Sequence, residues 1–241
     1  RLLEHTATFL AELRRRAPAT IIAAEGLCDT SQRAVEVGEE FARQRVDLVI
    51  IYVATYTPSA HVLPVIRRTG VPALVVGLQP TPAMDYDRAT TALQLEHDNI
   101  TSLPEIAGAM ARADQAPIDV VVGTLHDDER AWGRIAAWCQ VATVVHELAN
   151  ARIGLMGHVY EGMLDMNADP TMVEATFGAH VEHLEMDDLA VRVDRVTDEE
   201  WQARRDEITR IFRCPEPGAD PVARQVQPED LVWPAQVACG M

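Results

Sequence analysis

The chain contains no lysine: all 21 of its basic residues are arginine, set against 37 Asp and Glu in 241 residues. Codon bias is the simplest cause, but the chemical consequence holds either way. Without lysine there is no Schiff-base nucleophile and no P-loop phosphate clamp. Positive charge is scarce overall. The formal net charge of -16 sets up a field that repels phosphate backbones and argues against nucleic acid as a partner. Long apolar runs are missing too: none reaches the ~18 residues that a membrane-spanning helix needs, so no membrane is expected. Cysteine is sparse. Cys28, Cys139, Cys214 and Cys239 are scattered, with no CxxC pair and no secretory leader, so free thiols and a cytoplasmic setting are expected. Also absent are GxGxxG after a strand, GxxxxGK[ST], GxSxG and HExxH, which disfavours a glycine-fingerprint dinucleotide fold and the common hydrolase sites.

What is present is organised around residues 47–80, DLVIIYVATYTPSAHVLPVIRRTGVPALVVGLQP. Residues 46–53 form a run rich in β-branched residues, as in a strand buried on both faces. A loop of small, hydroxylated residues follows (54–59). Then come apolar residues at helical spacing, with Gly70 suited to the position just past a helix. Residues 71–78 read as a second buried strand. Strand, helix and parallel strand make a βαβ unit, and ligands of such sheets bind beyond the carboxyl ends of the strands. That rim carries residues 55–59 and Gln79-Pro80.

Taken in order, residues 6–16 predict an amphipathic helix, 20–24 a short strand, and 32–45 a helix capped by Thr30 or Ser31 with Val35, Val37 and Phe41 inward. Residues 80–99 have no clear period. A helix capped by Thr101 or Ser102, with Pro104 and Glu105 in its first turn, runs to about Ala113. Residues 118–122 predict a strand and 130–150 a long helix bearing Trp132, Ile135, Trp138, Val141, Val144 and Leu148. A second set follows: strand 152–156, a glycine-bearing loop, helix 171–177 ending at Gly178, strand 179–184 and helix 197–212. Residues 214–220 read as a linker. The fold class predicted is α/β: a doubly wound, Rossmann-like or flavodoxin-like parallel sheet over 1–150, then the beginning of a central α/β domain over 151–241. Arg1 already stands in a helical pattern, and no closing element is legible before Met241. The chain therefore reads as a fragment, with a strand ahead of the first helix expected to complete a further βαβ unit.

Several polar clusters have two readings. His180 and His183 might suggest a metal site, but on a strand they face opposite sides, which favours solvated residues. Asp98 and Asn99 suit a turn, while Glu96 and Asn99 suit hydrogen bonds to sugar hydroxyls. Tyr56 is either a packed aromatic or a ligand contact, and Thr57 either a cap or a ligand contact. Met163, in the loop 157–165, is either core filler or a ligand contact.

Four separated blocks carry a resemblance: VATYTPSAHVLPVIRRTGVPALVVGLQP, HDNITSLPEIAGAMARA, VVVGTLHDDERAWGRIAAWCQVA and ARIGLMGHVYEGMLDMNADPTMVEATFGAHVEHLEMDDL. Together they resemble the L-arabinose isomerase family, and within it the divergent L-fucose/L-arabinose isomerase branch, over about 46–189. The resemblance implies a metal-dependent aldose–ketose isomerase of homo-trimers or homo-hexamers, using a divalent ion, typically Mn2+, on a small sugar substrate. It implies that Tyr56 and Thr57 line the sugar site and that Met163 lies near it. Glu96 and Asn99 fall near positions that reach a neighbouring subunit's site. The family's metal-binding Glu and His lie beyond the region corresponding to Leu189, so no catalytic residue and no metal ligand is expected in this chain. The alternative from the residues alone is a non-catalytic sugar-binding or regulatory α/β module.

Overall fold

The continuous apolar run at 71–78 becomes the centre of a sheet. In the computed structural model, which describes residues 1–213, 221–222 and 225–241, the predicted linker 214–220 lies outside the described residues. The chain divides into two compact units, Arg1–Ala149 and Asn150–Met241.

The first unit contains α1 (Leu2–Arg16), α2 (Ser31–Gln44), β1 (Val49–Tyr52), α3 (Leu63–Thr69), β2 (Ala73–Gln79), α4 (Thr91–His97), α5 (Asn99–Arg112), β3 (Asp119–Thr124) and α6 (Glu129–Ala149). The three strands are parallel in the order β1-β2-β3, with Val49 opposite Ala73 and Leu74 opposite Asp119. Strand periodicity sorts the side chains into two cores. Val49, Val53 and Val75 pack with Val37 of α2, Val65 of α3 and Ile106 of α5. Leu74, Val76 and Val121 pack on the opposite face with Phe9 and Leu13 of α1 and Trp132 and Ile135 of α6. Each fully buried side chain of this size contributes roughly 1.5–3 kcal/mol of transfer free energy. The fold is thus α/β, with a small parallel sheet covered by helices on both faces.

Local signals explain the element ends. Thr30 Oγ1 accepts from the Arg33 amide at 3.1 Å and opens α2. Gly70, at φ +66°, closes α3 in the left-handed conformation that a side chain would resist. Gly77 serves a different need: a Cβ there would lie 2.5 Å from Leu103 Cδ1, so the missing side chain lets α5 settle onto β2.

Three expectations are corrected. Residues 20–24 form no strand. A ladder needs a neighbouring backbone about 4.8 Å away, and beside this segment lies instead a cavity of about 1000 Å³, with β1 lining it too. The fourth helix starts earlier than its cap signals indicate: α5 begins at Asn99, so Pro104 sits inside the helix rather than in its first turn. In α6, Trp132 and Ile135 are buried, but Val141, Val144 and Leu148 are exposed. Six-residue β3 spans about 20 Å and 21-residue α6 about 32 Å, so the helix outruns the strand it covers.

The second unit contains β4 (Arg152–Met156), α7 (Pro170–Phe177), β5 (His180–Leu184), α8 (Met186–Val193), α9 (Asp198–Ile211) and α10 (Val232–Gly240). β4 and β5 pair in parallel, Arg152 opposite His180 and Met156 opposite Leu184, with α7 as the crossover. Thr197 and Glu200 form a reciprocal capping box that starts α9. α10 packs against α8 and α9. Among the described residues no helix is long and apolar enough to cross a membrane.

Candidate functional site

The loop leaving β1 is held by a backbone carbonyl of α4 and by side chains of α5. Thr55 Oγ1 donates to the Leu95 carbonyl at 2.6 Å, and the Thr57 amide donates to Ser102 Oγ at 2.7 Å. Glu105 accepts from both the amide (3.0 Å) and the hydroxyl (2.6 Å) of Ser59. These bonds fix the loop at the carboxyl end of the sheet, where the strand C-termini leave a rim.

The candidates fall at different depths. Tyr56 is 55% exposed, so it is not a packed core aromatic. Thr57 caps no helix; its hydroxyl donates to the Thr55 carbonyl at 3.1 Å. Glu96, near the end of α4, has a largely covered side chain that pairs with Arg1 at 3.2 Å. Asn99, the first residue of α5, is 1% exposed. Its Oδ1 accepts from Gln79 Nε2 at 2.7 Å, and its Nδ2 donates to the Leu78 carbonyl at 3.1 Å. Asn99 therefore ties α5 to the end of β2. Met163 lies in the other unit, exposed, just before a single 3-10 turn, Leu164–Met166.

Sequence reasoning missed the roles of Ser102 and Glu105. Both carry the pattern of helix-start residues, and their true signal is distance along the helix: three residues apart, they share the face of α5 that meets the β1 loop. Gln79 does lie on the rim, where its Nε2 also donates to the His97 carbonyl at 2.9 Å, while its Oε1 is buried without a partner among the described residues. His97 Nδ1 faces the Leu93 carbonyl at 2.9 Å, an acceptor only, so the proton belongs on Nδ1. Asp128, beyond the end of β3, accepts from the amides of Ala131 and Thr124 at 3.0 Å each. Those backbone bonds hold its carboxyl below the usual carboxylate range.

The rim thus presents an exposed phenol beside anchored hydroxyl, amide and carboxylate groups. Among the described residues no three His, Cys, Asp or Glu side chains are placed to hold a metal ion. That set does not fit the divalent ion that the resemblance implies. No family model matches the chain, and no curated protein matches it.

Proposed function

We propose that the chain is part of a metal-dependent aldose–ketose isomerase of the L-arabinose or L-fucose type, moving a proton between C1 and C2 of a small sugar. The observation that carries this reading is Tyr56. The residue that the sequence resemblance puts against the sugar stands exposed on the loop after a parallel strand, where α/β sheets bind ligands. In this reading the first unit is a doubly wound, flavodoxin-like domain, supported by helices on both faces of β1-β2-β3. The second opens a central α/β domain.

Such an isomerisation needs a positioned base and acid. This chain's residues bind and orient: Tyr56 offers a ring for the sugar's apolar face and a hydroxyl for its polar edge, and Ser102 and Glu105 hold the loop that carries it. The proton-moving and ion-holding groups belong to residues outside these 241. The protein so read is a cytoplasmic homo-trimer or homo-hexamer.

The test is ketose formation by the complete gene product with Mn2+, over L-arabinose, L-fucose and other pentoses and 6-deoxyhexoses. Turnover is expected, and Tyr56→Ala is expected to lower kcat/KM by about 10–100-fold. Absence of turnover on every sugar rejects the enzyme. Saturable sugar binding without turnover points instead to a non-catalytic sugar-binding or regulatory module.

A further inference from the structure

The cavity of about 1000 Å³ in the first unit has the form of a slot. One side is β1 and the other is the segment 20–24, with Ile21, Ile22 and Ala24 along it. It extends from Asp47, below β1, to Thr57, above it. The extended stretch from 47 to 53 covers about 23 Å.

The β1 side is a backbone edge. The Val49 amide donates to the Pro72 carbonyl at 3.0 Å and the Val53 amide to the Val76 carbonyl at 2.8 Å. Odd positions therefore face β2, and by alternation the amides of Ile50 and Tyr52 face the slot. Interior amides need a partner, and an apolar small molecule supplies none. The walls are apolar above and below the sheet plane: Phe9 and Leu13 line one, Val37 and Val65 the other. An occupant buried on both faces is a continuous Val/Ile-type run.

We infer that this slot is the seat of a further parallel β-strand of the same polypeptide, apolar on both faces and lying beside β1 on the amino-terminal side of α1. The position of α1 gives the source. Arg1 meets Glu96 at 3.2 Å, and the adjacent Leu95 carbonyl takes the Thr55 hydroxyl at 2.6 Å. The start of α1 thus stands at the carboxyl rim, where a helix following a parallel strand must start, and Leu2 and Thr6 line the slot. After α1 the chain returns along the slot's far side as 20–24, which gains in the new strand the ladder partner it lacks. The sheet order becomes 20–24, new strand, β1, β2, β3.

The test reads hydrogen exchange over residues 48–54 by mass spectrometry. Residues 1–241 alone are compared with the same chain extended at its amino end by eight Val, Ile and Thr residues and a short Gly-Asp-Ser turn. A control extension carries Asp and Asn in place of the apolar residues. The apolar extension is expected to slow exchange by about 100-fold or more, with the control without effect. In the polypeptide as its gene encodes it, 48–54 is expected to be protected as strongly as Ala73–Gln79. An apolar extension that changes nothing, protection already complete in 1–241 alone, or fast exchange in the gene-encoded polypeptide overturns the assignment. The same apolar segment is also added as a separate peptide to 1–241, and protection by that peptide but not by the attached one overturns the assignment too, because the occupant would then be a partner in trans.

Discussion

Tyr52 shows what the missing lysine makes measurable. Its ring stacks on Phe9, centroids 4.1 Å apart, and burial pushes its pKa up to about 12. An unfolded tyrosine ionises near 10. The protonated folded form is favoured, so this contribution is fully present below pH ~10 and lost as pH rises through ~12, roughly 2–3 kcal/mol in all. No lysine titrates in that window. The burial-raised thiols of Cys28 and Cys139 add an earlier fall. Tyr52→Phe, which keeps the stack, is expected to abolish most of the loss between pH 10 and 12; equal alkaline slopes in urea unfolding would refute the assignment. Asn99 is a second residue-scale case. Asn99→Ala leaves the Leu78 carbonyl and one Gln79 donor without their partner, and a loss of about 1–3 kcal/mol is expected from urea midpoints. Its burial was not legible in the sequence: a polar residue after Glu96-His97-Asp98 looks like a turn, and only the end of β2 explains why it turns inward.

At the scale of elements, Gly77 and Leu103 are the clearest joint. A methyl at 77 collides with Leu103 Cδ1. Gly77→Ala is expected to cost about 1–3 kcal/mol by overpacking. Leu103→Ala in the same chain is expected to recover part of that cost, giving a non-additive double-mutant cycle in thermal or urea unfolding. Purely additive costs would mean that the contact is not the cause. The β2 and α3 patterns were legible because burial on both faces and a terminal glycine leave strong local marks. Residues 20–24 misled because an apolar five-residue run carries the composition of a strand but not its neighbour. The start of α5 reads late in the sequence because Pro104 and Ser102 are both good first-turn residues. The true start, at Asp98 and Asn99, depends on Leu78 and Gln79, about twenty residues upstream. The clamp of Glu105 on Ser59 likewise joins residues 46 apart, a separation that local pattern does not record.

For the whole molecule, the two units differ in how much they bury. Arg1–Ala149 carries two dense apolar clusters on the faces of its sheet. Among the described residues of Asn150–Met241, the buried apolar side chains are Ala179, Leu189, Val193 and Ala235, and Ile153, Leu155 and Leu184 of the strand pair are exposed. Hydrogen exchange at Arg152–Met156 and His180–Leu184 is therefore expected to be faster than at Ala73–Gln79 by about 10-fold or more, since local opening follows burial. Equal protection would show that something covers the smaller sheet.

Trp132 links these scales. Its indole Nε1 donates to the Leu125 carbonyl at 3.1 Å, Phe9 stacks on it at 5.4 Å, and the Arg16 guanidinium lies 5.6 Å from its centroid. Both neighbours belong to α1, while the tryptophan belongs to α6. The chain thereby carries a built-in fluorescent gauge: with Trp138, Trp201 and Trp233 replaced by Phe, emission from this indole reports any shift of α1 against the sheet without an added label.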